Sequence, residues 1–367
     1  MGRRDGVGWP LVLACAHSLT GSGAPATGGE QGEWPALSKQ ETRSAEAPLR
    51  PIRWDNMDWR TFRDDDLPEI AALLAQTLTY DRPTAASVRY LLLEDPGFDP
   101  HLIWIATDPG HGRRVVGFAA GALPDERLQC PGGVKLFAVA PEYRRQGVAS
   151  RLFDLVENTL RQRGVTECVA VNCGHHRLSL GLDVRYTAAL CFLLSRGYEQ
   201  TGTTQDMEVD LVGPEAPDLS TEAGEARLRE QGIAVRRATA ADRDWVTQGV
   251  EREMAPPVPS RRWAYLADQA FRSCPPTIEV AEDTRTGAFL GFAAYNAARW
   301  GVLGPMGVAP QARHKGLGSV LLKRCLRDMQ ADGFTRGEIF SVGPILFYGR
   351  TIGARISRVY YRYAKRL

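Results

Sequence analysis

Apolar positions recur along this chain in two registers, and the same succession of registers occurs twice. Leu152, Phe153, Val156 and Leu160 return at helical spacing and stop before Gly164. Leu321, Leu322, Cys325, Leu326 and Met329 do the same before Gly333. Upstream of each predicted helix lie short apolar runs: LIWIAT then VVGFAAG in one copy, TIEVA then FLGFAAY in the other. A turn-like stretch, DPGHGRR or DTRTG, separates the members of each pair, which predicts a hairpin. Further back, MDWRTFRDDDLPEIAALLAQT and IAVRRATAADRDWVTQGV both read as a short strand, an acidic cap and an amphipathic helix. Downstream, TECVAVN has the apolar run of a strand covered on both faces. Alternation of Met207, Val209 and Leu211, and of Val359, Tyr361 and Tyr363, predicts a closing strand for each copy.

The shared order is strand, helices, strand hairpin, strand, basic loop, helix, strand, helix, strand. The phrases VAPEYRRQGVASRLF and VAPQARHKGLGSVLL, 169 residues apart without an internal gap, mark the repeat most clearly. Two such units imply duplication. We expect one domain over residues 52–212, a polar Pro- and Gly-containing linker over 213–231, and a second domain over 232–367.

Composition changes this picture little. A chain of 367 residues can bury two ordinary cores, and 24% charged with 44% hydrophobic residues is the mix of a soluble globular protein. A formal net charge of +2 gives no reason to expect nucleic acid or a membrane as a partner. Seven cysteines scattered through apolar segments fit reduced core residues and a cytoplasmic setting. The apolar run from Trp9 to Cys15 is short for a signal h-region and contains Pro10. Residues 16–50 offer little to bury, so a disordered tail is expected over 1–51.

The chemistry concentrates in the repeated loop. In each copy a strand ends at Val-Ala-Pro, a basic loop follows, and a helix begins. Gly147 and Gly316 remove a side chain where the backbone must turn, and Ala149 and Gly318 keep the helix entrance narrow. Unpaired N–H groups at the positive end of a helix form a cradle for a pyrophosphate. Arg144, Arg145, Arg313, His314 and Lys315 add positive potential, and Ser150 and Ser319 add hydroxyls.

Arg144-Arg145-Gln146-Gly147-Val148-Ala149 and Arg313-His314-Lys315-Gly316-Leu317-Gly318-Ser319 resemble the acyl-CoA signature of the GCN5-related N-acetyltransferases. The resemblance covers the chain from about residue 52, as a tandem pair. It implies an α/β fold with a mixed sheet splayed open after its fourth strand, and acetyl-CoA as co-substrate. The pantetheine arm would bond to backbone around Phe137, Ala138 and Val139, or around Met306, Gly307 and Val308. It also implies direct attack by a primary amine of a small molecule, with no metal.

Such a transferase needs a fixed thioester, a neutral amine and a proton donor for sulfur. The resemblance places the donor at a tyrosine in a Phe-Tyr pair shortly before a glycine. Phe347-Tyr348 with Gly353 fits, whereas the first copy has Phe192-Leu193 before Gly197. Tyr348 is therefore the expected catalytic residue, in the second copy. Against this, the first loop is the better match to the signature, and Tyr186 in GLDVRYTAAL is its substitute donor. No carboxylate occurs in WGVLGPMGV, which leaves Glu253 and Glu338 as candidate bases. Met254 to Arg262 is where the family lines its acceptor site, and Arg261 and Arg262 read by default as solvated charges.

Cys168, Cys173, His175 and His176 resemble a zinc set only superficially, because two residues an odd number apart on one strand face opposite ways. The segment GHHRLSLGLDVRY lengthens the first copy: 46 residues separate Gly147 from Leu193, against 32 from Gly316 to Tyr348. The basic aromatic end SRVYYRYAKRL could suggest RNA, but its alternation suits a strand. Two rival functions remain open at this point: a non-catalytic acyl-CoA sensor, and a transferase acting on a protein or peptide amine.

Overall fold

The computed structural model describes residues 57–112, 114–254 and 260–367, so the tail expected over 1–51 lies outside the described residues. In the first half, β1 (Asp58–Thr61), α1 (Leu67–Thr77) and α2 (Ala85–Leu92) precede β2 (Ile103–Asp108), β3 (Arg114–Ala122) and β4 (Gly133–Val139). These four strands pair antiparallel in chain order. The helix α3 (Val148–Gln162) then crosses to β5 (Glu167–Ala170), which runs parallel to β4. A two-residue strand β6 (Leu182–Asp183), α4 (Thr187–Ser195) and β7 (Glu199–Asp210) complete the first copy.

After α5 (Glu222–Glu230), the second half repeats the plan. It runs β8 (Ile233–Arg237), α6 (Arg243–Glu253), α7 (Ser260–Gln269), β9 (Ile278–Asp283), β10 (Phe289–Tyr295) and β11 (Val302–Val308). Then come α8 (Leu317–Ala331), β12 (Arg336–Ile339), α9 (Ile345–Ile352) and β13 (Arg355–Arg366). The architecture is thus a mixed α/β sheet built twice.

Local chemistry repeats with the topology. Asp66 accepts from the Arg63 N–H at 2.8 Å and from Arg60 at 2.7 Å just before α1. Asp242 accepts from the Thr239 N–H at 2.7 Å and from Arg236 at 2.8 Å just before α6. The acidic caps therefore satisfy exposed helix-entry donors and tie each helix to its preceding strand. Helices cover both faces of each half-sheet. Val116 and Ala119 of β3 pack on the side of α3, with Leu152, Phe153 and Val156. Val115, Phe118 and Ala120 pack on the side of α1, with Ile70 and Leu74. This double coverage is why VVGFAAG is apolar without alternation.

The segment 213–231, expected as a polar linker, contains α5 and contributes to the core. Leu228 is 1% exposed and joins the cluster beneath α8, while Glu225 pairs with Arg324 at 2.9 Å. A single buried leucine docks an otherwise polar helix, which left little periodic signal.

The two half-sheets join by exchanging their last strands. The strand order is β1-β2-β3-β4-β5-β13-β7-β12-β11-β10-β9-β8, with β6 on β13. The closing strand of the second copy thus lies against β5 of the first, and β7 of the first copy lies against β12 of the second. Between them β13 and β7 pair antiparallel, with Tyr360 opposite Thr204. Those two residues each fall seven after the glycine that ends the preceding helix, Gly353 and Gly197. The crossing is therefore a pseudo-twofold centre of the repeat. The described residues fall in one compact unit. Among them no helix is long and apolar enough to cross a membrane.

Candidate active site

The opening lies where β4 and β5 part. They pair only through Gly133 with Val169 and Val134 with Ala170. A Cβ on Gly133 would sit 2.0 Å from the Val169 carbonyl oxygen, so glycine is what lets β5 approach at all. The Val171 N–H makes one last bond to Val134 O at 2.7 Å and the strands then separate. The remainder of β4, including Lys135, Phe137, Ala138 and Val139, lines a cavity of about 770 Å³. That volume lies in the range of small-molecule and cofactor sites.

At one end of the cavity stands the basic loop. Arg144 folds back so that its Nε donates to Val139 O at 3.0 Å, pinning the loop to the strand end. Arg145 and Gly147 take left-handed backbone, φ 58° and 80°, and α3 starts at Val148, which is 1% exposed. The first-turn N–H groups of α3 have no helical acceptor and sit at its positive end. Arg144, Arg145, Gly147, Val148, Ala149 and Ser150 all border the cavity. Gln146 instead donates its side-chain amide to Glu142 O at 2.9 Å.

The second copy reproduces this loop. Arg313 Nε donates to Val308 O at 3.2 Å, His314 and Gly316 have φ 63° and 83°, and Leu317 is 1% exposed at the start of α8. Lys315 is exposed, and Gly318 and Ser319 are half-buried in the first turn. The strand beside it differs in what covers it. A Cβ on Gly307 would meet Met254 Sδ at 2.5 Å and Trp263 at 3.1 Å, while Met306 and Val308 pack on the core.

Tyr348 lies within the apolar core of the second half, 7% exposed, edge-on to Phe347. Among the described residues its hydroxyl has no recorded hydrogen-bond partner, and burial pushes its pKa above the ordinary tyrosine range. Leu193, its counterpart, is fully buried. Tyr186, by contrast, borders the cavity. Its Oη donates to Asp81 Oδ2 at 2.7 Å and accepts from the Tyr80 N–H at 3.1 Å. Burial, and then the bond to Asp81, raise its pKa.

Asp81 is held in turn by Arg358, whose Nη1 donates to Asp81 Oδ1 at 2.6 Å and whose Nε donates to Asp183 Oδ2 at 2.7 Å. Burial opposes the Arg358 charge, and its bonds to Asp81 and Asp183 outweigh that cost, so its pKa rises. Arg185 also donates to Asp183, at 2.7 Å. Asp81, Asp183 and Arg358 escaped the sequence reading. Arg358 arrives on the exchanged strand β13, and nothing in a repeat reveals which copy a closing strand will join.

The other candidates are engaged elsewhere. Glu253 accepts from Arg252 and Gln311, which lower its pKa, and Glu338 accepts from Arg299 at 2.8 Å. Arg261 is exposed beside Glu251. Arg262, read as solvated, is instead 8% exposed and crosses to the first half, donating to Cys130 Sγ at 3.0 Å and His175 O at 2.7 Å. It shares the α7 face of Tyr265, whose hydroxyl meets His176 Nε2 at 3.2 Å, so that face packs on the first half and not on solvent. His175 sits between two carboxylates, Nδ1 2.9 Å from Asp95 and Nε2 3.0 Å from Asp125. Both ring nitrogens must donate, so the ring is an imidazolium, and the bond to Asp95 raises its pKa first. Lys135 also bonds Asp95. Among the described residues no cluster is suited to a metal ion.

A sheet parted beside a helix-end anion cradle, present twice, is the frame of an acyl-CoA transferase. The sequence profile described as the acetyltransferase (GNAT) family matches residues 59–179 and 242–343. The chain belongs to that family, as a tandem member, and is an acyltransferase. It is similar in fold to a fungal structure titled as a GCN5-related glucosamine N-acetyltransferase region of a multi-domain GH3 beta-N-acetylglucosaminidase. There the TM-score is 0.69 and the identity 17%, over 84% of this chain, and the chain spans 38% of that protein. A GCN5-related N-acetyltransferase from Sphaerobacter thermophilus aligns with TM-score 0.62 and 20% identity, over 85% of this chain and 96% of that one. A tandem GNAT protein from the clavulanic acid biosynthesis pathway aligns with TM-score 0.59 and 16% identity, over 84% and 98%. No curated protein matches the chain.

Proposed function

We propose that this protein moves an acetyl group from acetyl-CoA to a primary amine of a small molecule, and that the reaction runs in the first-half cleft. The carrying observation is the single cavity that joins the Arg144–Ser150 cradle to the Tyr186–Asp81 pair. In this reading the diphosphate rests on the α3 N–H groups, and Arg144 and Arg145 supply positive potential. The pantetheine arm lies along Phe137, Ala138 and Val139, whose edge β5 leaves unpaired. The amine attacks the thioester carbon directly, and Tyr186 protonates the departing thiolate. No metal takes part. The second copy, with Met306, Gly307 and Val308 beside its own cradle, serves as scaffold or as a second CoA contact, and Tyr348 as packing. The six described cysteines are all free, which supports a cytoplasmic setting.

Paired variants test the assignment to one cleft. Glutamate is tolerated in a first helical turn but would place a carboxylate where the diphosphate rests. Ser150→Glu is expected to weaken acetyl-CoA binding by calorimetry and to abolish turnover on an amine panel, while Ser319→Glu leaves turnover intact. The reverse pattern would move the reaction to the second copy. Binding of acetyl-CoA without turnover on any small or peptide amine would favour a sensor.

A further inference from the structure

We infer that Asp81 is the proton acceptor for the attacking amine, and that Arg358, delivered by the last strand of the other sequence copy, is the residue that positions it. The inference deepens the proposed transferase reading and rests on it.

Three observations converge. First, Asp81, Tyr186 and Arg358 border one cavity, and the side chain of Asp81 is only 3% exposed. A carboxylate that buried keeps its charge only with a partner. Arg358, 10% exposed at its side chain, supplies that partner and occupies Oδ1. Second, Oδ2 faces the Tyr186 hydroxyl, whose own orientation is fixed by the Tyr80 N–H. The bond between them is a ready path for one proton. Third, among the described residues the arrangement is found in one half although the fold occurs twice. By the pseudo-twofold at Tyr360 and Thr204, the residue that the first copy hands back at the place of Arg358 is Gly202, five residues after its helix-ending glycine. Among the described residues, an acid–base pair held by an exchanged arginine is therefore found only in the half with the cavity described above.

The protons balance as follows. Attack forms the C–N bond and leaves a positively charged nitrogen, which loses its proton to Asp81. The C–S bond breaks, and the thiolate takes the Tyr186 proton. Protonated Asp81 returns a proton to the Tyr186 oxygen across their hydrogen bond. The amide and free CoA thiol leave, and both side chains regain their starting states.

The experiment uses the full chain and acetyl-CoA, with steady-state kcat and KM on whichever panel amine the wild type acetylates, and calorimetric Kd for acetyl-CoA. Asp81→Asn keeps shape and an acceptor for Tyr186 but cannot take a proton. It is expected to lower kcat by about a hundredfold or more, the scale of general acid–base catalysis, with Kd within about threefold. Because Asp81 and Tyr186 act as a unit, Asp81→Asn combined with Tyr186→Phe should be little worse than either alone. Arg358→Met should lower kcat similarly, and Arg358→Lys should restore part of the loss. Should Arg358→Met fail to fold, Asp81→Asn and Arg358→Lys still decide. Retention of kcat within about threefold in Asp81→Asn, with wild-type turnover intact, overturns this inference alone. A wild type that binds acetyl-CoA in neither cleft removes the transferase reading beneath it.

Discussion

The two halves share a plan, a loop and even the hydrogen bond from the loop arginine to the strand end, yet they differ in what surrounds the parted strands. In the first, β4 borders a cavity of about 770 Å³ that ends on Tyr186, Asp81 and Arg358. In the second, Met254 and Trp263 cover Gly307, and the tyrosine that motif matching favours is core. A signature motif reports backbone geometry, which duplication preserves cheaply. Chemistry depends on side chains contributed by several elements, and those can diverge in one copy without disturbing the other.

The sharpest way to break this comparison is to remove residues 355–367, which comprise β13 and Leu367. In sequence that strand belongs to the second copy, but it completes the first half-sheet between β5 and β7 and buries Tyr360 and Tyr363. Without it, β5 becomes an unpaired edge and Asp81 and Asp183 lose Arg358. The expected outcome is loss of cooperative unfolding and of acetyl-CoA binding, checked by urea melts and calorimetry. A truncated chain that still bound acetyl-CoA in the first cleft would show that the exchange is dispensable there.

Next in size is the contrast between two tyrosines. Tyr186→Phe is expected to lower kcat by about a hundredfold or more. Tyr348→Phe removes a hydroxyl that makes no side-chain hydrogen bond among the described residues, so kcat should stay within about threefold and the urea midpoint should hold or rise. Equal losses in both variants would restore the second copy as catalytic.

Much of this was legible in the sequence. The repeat, the strand and helix order and the two glycine-turned loops follow from periodicity and motif, while Phe137, Ala138 and Val139 came from the family resemblance and line the first-half cavity. The expectation for Tyr348 rests on position within a motif, and position carries no information on the core that surrounds the side chain. Arg262 and α5 read as solvent-facing because burial of an arginine, or of one leucine on a polar helix, leaves no period. The strand exchange was invisible for a different reason. β7 and β13 carry similar alternation, so either could close either half, and register alone decides.

Equivalent positions in the two halves also differ in whether they titrate. Trp104 on β2 and Glu279 on β9 are equivalent, each opposite the matching alanine of the next strand, Ala119 and Ala293. Trp104 Nε1 donates to Thr159 Oγ1 at 3.2 Å, a neutral pair. Glu279 is 1% exposed, and the residue 169 after Thr159 is Asp328. Burial, against the pull of Arg324 and helped by Asp328, pushes Glu279 up to about 7 from 4.5. The folded state thus holds this proton more tightly than the unfolded chain. The associated stability is fully present below the ordinary carboxylate range and is lost as pH rises through about 7. His175 in the first half has the same sign, since its raised pKa also favours the protonated fold. Urea melts from pH 5 to 8 should therefore show declining stability, and Glu279→Gln should flatten most of the decline. A wild-type profile that rose over this range would contradict both assignments.

The smallest expected effect compares two arginines three residues apart on β13. Arg355 is half exposed and reaches Glu208 and Asp210 on β7, which also face Arg336 from β12. Solvent screens such pairs, and holding long side chains in place offsets the attraction. Arg358 makes the same number of carboxylate contacts, but from a site where water cannot substitute for it. Arg355→Ala should therefore leave the urea midpoint and kcat unchanged within error, with no dependence on added salt. Were Arg355→Ala as damaging as Arg358→Met, the seam between β7 and β13 would be held by its charges. The buried carboxylates at the cleft would then no longer explain why the second copy lends the first an arginine.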